Sequence, residues 1–159
     1  MIWGKAQANR MATVFFPPYD RSKLTAGIVH IGLGNFHRAH LAVYMDDLFA
    51  MGLNHDWAII GAGVRAPDAR MRAALKAQDF LSTVIELDPK GRSARRIGSM
   101  IDFVPVEADN ASLIATMSRP EIRIVSLTVT EGGYFVDASG AFNPLAPEIA
   151  ADGKNPTRP

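Results

Sequence analysis

The chain has 159 residues, 48% hydrophobic and 21% charged, with 17 Lys plus Arg against 16 Asp plus Glu and a formal net charge of +1. This is a globular composition in the size range of one domain, able to bury about 70% of its unfolded surface. The near-neutral balance gives no field to draw nucleic acid or an anionic membrane, and the absence of cysteine excludes disulfides, thiolate catalysis and cysteine-ligated metal and fits a reducing, cytoplasmic location.

Residues 1–23 read as a lead-in. The opening MIWGKAQANRMATVFFPP makes a poor signal peptide because its apolar residues are broken up before Pro17-Pro18, and nothing resembles a membrane span. Met11 offers an alternative start, so the first ten residues are expected to be disordered or outside the true N-terminus. Phe15 and Phe16 can pack on the domain, and the two prolines stop regular structure.

The organising stretch is 24–40, LTAGIVHIGLGNFHRAH. Residues 28–33 form a short, nearly continuous apolar run, as expected of a strand buried on both faces. The run closes on Gly32-Leu33-Gly34. Asn35 is expected to cap a helix running through Ala50, with Phe36, Leu41, Val43, Tyr44, Leu48 and Met51 near helical spacing. Gly52 and Asn54 are stop signals. A second apolar run, WAIIGAG at 57–63, echoes the first. Pro67 and Asp68 suit the first turn of the next helix, whose inner residues are expected to include Met71, Ala74 and Leu75.

Residues 80–87, FLSTVIEL, read as a third strand, 88–91 as a turn, and 97–106 as a strand returning in a hairpin excursion at the sheet edge. Arg92, Arg95 and Arg96 fit a solvated hairpin. Asp109 or Asn110 can cap a helix over 111–118, with Leu113, Ile114 and Met117 on one side. Residues 122–129 are the fourth strong strand, ending in the glycine turn Thr130-Glu131-Gly132-Gly133. Regular signals fade after about residue 138, and the tail GKNPTRP is expected to be irregular. The fold class is therefore α/β: a Rossmann-like, mostly parallel sheet with flanking helices and a hairpin excursion, incomplete in extent. The expected divisions are 1–23, 24–138 and 139–159.

Strand, glycine turn and helix form the layout that holds nucleotide phosphates. Gly32 would make the sharp turn, Gly34 would admit a pyrophosphate, and the N–H groups of Asn35, Phe36 and His37 would face the anion. The usual third glycine is replaced by His37. By itself the motif leaves open a dinucleotide site, an S-adenosylmethionine site of a methyltransferase-like domain, and a purely structural turn. A ribose-binding acid is expected about 20 residues after the glycines. Asp68 lies just past the second strand and argues for NAD, whereas Arg65 could meet the 2′-phosphate of NADP. His37 and His40, three apart, would share a helix face. Without a third ligand at metal spacing no metal site is expected, and His30 reads as a satisfied buried residue. Asp46 and Asp47 are adjacent and point apart, which does not support a paired-carboxylate mechanism.

Taken together, YDRSKLTAGIVHIGLGNFHRAHLAVYMDDLF, WAIIGAGVRAPDARM, AQDFLSTVIE, RRIGSMIDF and RPEIRIVSLTVTEGGY resemble, in order, blocks of the long-chain mannitol dehydrogenase family. That family includes mannitol 2-dehydrogenases, fructuronate reductases and tagaturonate reductases. The resemblance covers about three quarters of the chain, and GLGNFHRAH is its most distinctive part. It implies a Rossmann-like NAD(P) domain of an oxidoreductase of polyol metabolism. It further implies that Gly32 and Gly34 line the pyrophosphate, with Asn35, Phe36, His37 and Arg38 beside it. Asp68 would meet the adenosine ribose, favouring NAD over NADP, and Thr130 and Glu131 would sit near the nicotinamide. Family members also carry a mostly helical domain with a catalytic lysine. No residue of this chain matches it, so no catalytic residue is assigned, and the sequence resembles a truncated form expected to bind cofactor weakly without turnover. The polyol or sugar-acid substrate, such as mannitol or fructuronate, would bind only in the full-length enzyme. The alternative from another class is a non-catalytic half-domain that self-associates through an exposed sheet edge.

Overall fold

A computed structural model describes residues 14–89, 91–154 and 156. Two units divide after Leu127. In chain order the first holds β1 (Val14–Phe15), a 3-10 turn (Arg21–Lys23), β2 (Ala26–Ile31), α1 (Asn35–Ala39), α2 (Leu41–Ala50), β3 (Ala58–Ala62), α3 (Ala66–Lys76), β4 (Ser82–Asp88), β5 (Gly91–Ile97), β6 (Met100–Phe103), α4 (Ala111–Met117) and β7 (Ile124–Leu127).

The architecture is Rossmann-like α/β. Four strands form a parallel sheet in the order β6-β3-β2-β7. The chain steps outward from β2 to β3 to β6, then returns across α4 to lay β7 on the far side of β2. That reversal is a topological switch point, where open parallel sheets leave a crevice at the strands' C-terminal ends. The alternation of side chains explains the two buried layers. Ile28 and Ile59 face α2, joining Ala42, Met45 and Phe49. Their neighbours Val29 and Ile60 face the other way, joining Leu113 of α4. Leu75 of α3 meets Leu33, Met100 and Phe103. Burial of side chains such as Phe49 and Ile59, both 0% exposed, stabilises the fold by about 1.5–3 kcal/mol each.

The helix expected through Ala50 is interrupted at His40, which has φ −124° and ψ −87°. A continuous helix would bond the His40 N–H to the Phe36 carbonyl. Instead the His40 ring Nδ1 lies 2.7 Å from that carbonyl, and the backbone N–H turns to His37 C=O at 3.3 Å. The local side-chain bond displaces the helical one. The break also changes the buried face. Phe36, Tyr44 and Met51 are exposed, Leu41, Val43 and Leu48 are only partly buried, and Ala42, Met45 and Phe49 form the contact. Asp46 is buried in the same face, where its carboxylate accepts from the Tyr19 hydroxyl and from the Gly98 N–H at 2.8 Å. Burial, then the Asp46 carboxylate, pushes the Tyr19 hydroxyl pKa up. Asp47 points away and pairs with Arg95 at 2.5 Å.

The excursion is placed differently from expectation. β4 pairs antiparallel with β5, so the hairpin partner is Gly91–Ile97 rather than 97–106. β1 adds to β5 in parallel, giving a separate three-stranded sheet β1-β5-β4. The third strand of the parallel sheet is β6, not the FLSTVIEL stretch. Periodicity could not decide this, since β4 and β6 are both short strand-forming runs. On α4, Leu113 and Thr116 are buried while Ile114 is exposed, contrary to the expected side. Asp109 accepts from the Ala111 N–H at 3.1 Å, whereas the Asn110 side chain makes no cap bond.

The second unit, 128–159, contains a 3-10 turn (Glu131–Gly133), an isolated bridge between Val136 and Phe142, and α5 (Pro147–Lys154). Gly153 and Lys154, expected to be irregular, are thus helical. Pro147 lacks the N–H that a first helical position leaves unbonded anyway. Asn143 organises the approach by accepting from the Leu145 N–H at 3.0 Å. Among the described residues no helix is long and apolar enough to cross a membrane.

Candidate functional site

The glycine turn lies at the C-terminal end of β2, on the switch-point strand. Gly32 has φ +85°, a left-handed conformation that side chains rarely adopt. Its N–H bonds to Ala62 C=O at 2.9 Å, joining the turn to the end of β3. The Gly34 N–H folds back to Gly32 C=O at 2.7 Å. A Cβ placed on Gly34 would find only the Gly32 oxygen, at 4.0 Å. The protein's own packing therefore leaves that flank open.

Gly34, not Asn35, is the N-cap of α1, and no side chain caps this end. Asn35 is the first helical residue, and its amide oxygen accepts from Arg38 Nη2 at 2.6 Å. The first α1 bond runs from the Arg38 N–H to Gly34 C=O at 3.3 Å. The N–H groups of Asn35, Phe36 and His37 precede it and have no helical acceptor. Arg38 Nε also approaches Gly34 C=O at 3.4 Å, which holds a guanidinium beside the turn. Open backbone donors, a glycine flank with room and an adjacent cation make a chemically suitable cradle for a phosphate.

His37 and His40 do not share a face. His40 is exposed and stacks on Phe36, with ring centroids 4.3 Å apart. His37 is 2% exposed, and its ring lies 3.7 Å from that of His30, nearly parallel at 20°. Neither His37 ring nitrogen has a hydrogen-bond partner among the described residues. Burial, then the neighbouring His30 and Arg38, lowers its pKa to about 3. Where a third glycine would let helix and strand approach, a neutral imidazole stack makes the contact instead. His30 is buried, as expected, with Nδ1 2.9 Å from Ser126 Oγ. Burial lowers its pKa. Ser126 was not a candidate by sequence. The signal for it is register: it is the β7 partner of His30 in the parallel pair.

Arg65 and Asp68 stand at the start of α3, as its N-cap and in its first turn, just past the C-terminal end of β3, the strand next to the one that carries the glycine turn. Asp68 Oδ2 accepts from the Arg65 N–H at 3.0 Å, and Oδ1 is 3.7 Å from the Arg65 guanidinium. Its side chain packs on Gly63, where a Cβ would lie 2.3 Å from the Asp68 Cβ. Thr130 and Glu131 belong to the second unit, where Thr130 C=O accepts from the Gly133 N–H at 2.8 Å. Thus Gly32, Gly34, Asn35, Phe36, His37 and Arg38 share one turn, and Arg65 and Asp68 share the neighbouring strand end. A cavity of about 220 Å³, lined by Ile60, Asp102, Val104, Ser112, Thr116 and Arg119 among others, shares no residue with either group. Among the described residues no three His, Asp or Glu side chains group as a metal site.

Residues 26–157 match the family model for the mannitol dehydrogenase Rossmann domain. Mannitol 2-dehydrogenase of Cereibacter sphaeroides is 72% identical over 143 residues, covering 90% of this chain and 30% of that protein. The polyol:NADP oxidoreductase of Gluconobacter oxydans is 41% identical over 165 residues, covering 100% and 33%. Among solved structures, Pseudomonas fluorescens mannitol 2-dehydrogenase, a ternary complex with NAD and D-mannitol, superposes with a TM-score of 0.73 at 44% identity, over 90% of this chain and 30% of that one. The chain thus spans about a third of the length of these relatives. With the sheet order, the switch-point turn and these matches in agreement, the chain belongs to the mannitol dehydrogenase Rossmann domain family.

Proposed function

We propose that the 32–38 turn binds the pyrophosphate of a nicotinamide dinucleotide, as part of a dehydrogenase acting on a polyol or sugar acid such as mannitol or mannonate. The observation that carries this reading is the open flank of Gly34 at the switch point, where a Cβ would meet nothing closer than 4.0 Å. A glycine with room around it, unlike one squeezed by its own protein, is accounted for by a ligand that approaches the backbone.

Each residue has a distinct task in this reading. Gly32 reverses the chain, and Gly34 admits the phosphate oxygens. The N–H groups of Asn35, Phe36 and His37 donate to them, and Arg38 adds positive charge. Asp68, at the end of β3, accepts from the adenosine ribose hydroxyls and disfavours a 2′-phosphate, which selects NAD over NADP. Arg65 is the residue that would counter this preference. Thr130 and Glu131 are assigned to the nicotinamide end. When bound, nicotinamide would supply or accept a hydride. The acid–base group for the substrate oxygen is assigned to none of these residues.

The test is titration of the purified chain with NADH and NADPH, read by nicotinamide fluorescence. Saturable binding, tighter for NADH, is expected. Absence of saturation by either cofactor up to millimolar concentration would remove the reading, and preference for NADPH would transfer the ribose role from Asp68 to Arg65.

A further inference from the structure

The cleft between α4 and the edge strand β6 lies apart from the glycine turn and from the Arg65–Asp68 pair. Its volume is about 220 Å³, below the roughly 300–1,000 Å³ of sites for drug-sized molecules, so it suits a molecule of a few carbons. Ile60 and Val104 supply an apolar wall, and Asp102, Ser112, Thr116 and Arg119 supply polar groups. Ser112, Thr116 and Arg119 are spaced i, i+4 and i+7, one stripe along α4 and the residues just past it.

A fault in β6 brings Asp102 to this cleft. Met100 and Phe103 both pack with Leu33 and Leu75 on the α3 side, although strict alternation would send residues three apart to opposite faces. The register explains it. Ile59 is the partner of Met100 but Ile60 is the partner of Asp102, so β6 carries one extra residue. Such a bulge re-aims the side chains that follow it. Without it Asp102 would share the α3 face with Met100. With it Asp102 lines the cleft beside Ile60 and Val104.

The polar groups divide into one donor and two acceptors. Asp102 and Arg119 have opposite charges in one cleft, yet among the described residues neither joins an ion pair. Asp102 Oδ1 accepts from the Phe103 N–H at 2.7 Å, which leaves the other carboxylate oxygen to accept. The Arg119 guanidinium has no hydrogen bond among the described residues. Thr116 is buried, and its hydroxyl proton goes to the Ser112 carbonyl at 2.8 Å, so the oxygen can only accept. A plain anion would suit Arg119 but oppose Asp102, and a plain cation the reverse. A carboxylate with a hydroxyl or ammonium on the adjacent carbon satisfies both.

We propose that this cleft binds a small 2-hydroxy or 2-amino carboxylic acid. The acid's carboxylate pairs with Arg119, and its hydroxyl or ammonium donates to Asp102 and Thr116. Asp102 and Arg119 are both exposed, which screens their charges and places the expected affinity in the millimolar range.

Glycerate and L-serine test this, because they share a skeleton and carboxylate and differ in hydroxyl against ammonium beside it. NMR titration of the isotope-labelled chain should give saturable amide shifts at Val104, Ser112 and Thr116 with at least one of them, while Gly32 and Gly34 stay unmoved. Propionate, which lacks the donors, and glycerol, which lacks the carboxylate, should bind at least tenfold more weakly. Arg119→Gln should raise the dissociation constant of the bound acid roughly tenfold. Asp102→Asn keeps an oxygen for the Phe103 N–H. It should weaken serine roughly tenfold and glycerate about threefold, because only the ammonium loses a charge pair. Absence of saturable shifts at Ser112 and Thr116 with both acids overturns the proposal. So does equal binding of propionate or glycerol, a parent-like dissociation constant in Arg119→Gln, or shifts centred on Gly32 and Gly34. If Arg119→Gln does not fold, the four-compound comparison on the parent chain decides. The cleft shares no residue with the glycine turn, so none of these outcomes turns on NADH binding.

Discussion

Two strands of the parallel sheet close on Gly-x-Gly, at 32–34 and at 61–63, yet the glycines serve different physical ends. At the β3 end the protein itself forbids side chains. A Cβ on Gly61 would lie 2.9 Å from Phe103 and 3.1 Å from Leu33, and one on Gly63 would lie 2.3 Å from the Asp68 Cβ. These glycines are packing spacers. After β2, Gly32 is required by its left-handed φ, whereas Gly34 has an ordinary φ of −81° and open space. Similar letters therefore mark one turn closed by its neighbours and one left open toward solvent. The difference shows that the informative property of a glycine is what an added carbon would meet.

Gly63→Ala should give the largest departure. The Asp68 side chain it would strike is tied to the Arg65 backbone and cannot swing away without uncapping α3, so a loss of roughly 2–3 kcal/mol is expected in denaturant unfolding. A loss under about 0.5 kcal/mol would mean that the second turn is as open as the first.

Acid should act on the first turn rather than the second. Folding holds His37 neutral down to about pH 3, from an ordinary 6.5. The unfolded chain takes up that proton as pH falls below 6.5, while the folded chain does not. Stability is therefore full above pH 6.5 and declines below it, at no more than about 1.4 kcal/mol per pH unit for this group, levelling near pH 3. The buried His30 acts in the same direction. Unfolding measured from pH 7.5 to 4.5 should be flatter in His37→Phe than in the parent, and equal slopes would remove the imidazole stack as a source of acid sensitivity.

Gly34→Ala should change stability least, by less than about 1 kcal/mol, the cost of alanine at an N-cap. The same variant should weaken NADH at least tenfold, because its methyl group occupies the space assigned to phosphate. Parent-like NADH titration in a stably folded Gly34→Ala would make the openness of the first turn incidental.

Much of the fold was legible in short-range pattern. The runs at β2, β3 and β7 are apolar because strands covered on both faces meet no water. The prediction of Asp68 near the α3 start held because Pro67 and an acid suit a helix's first turn, and the stops at Gly52 and Asn54 coincide with positive φ values of 76° and 54°. His30 was correctly read as buried and satisfied. The failures are those where one side chain changes register or partner. The His40 ring takes the Phe36 carbonyl, breaks the helix and turns Phe36, Tyr44 and Met51 outward. β4 finds β5 because 91–97 is closer along the chain than the stretch expected to pair with it.

By itself, the sequence determined the parallel α/β class, the glycine turn after β2, the family resemblance and the residues assembled at 32–38, since each depends on composition, local conformation or the order of blocks. Only the tertiary structure decided which glycine is crowded and which is open, and that the His30 ring meets both Ser126 of β7 and His37 of α1. It also decided that His37 packs as a neutral ring where a glycine was expected. Those properties depend on distances between residues far apart in the chain, such as His30 and Ser126, and no local pattern encodes them.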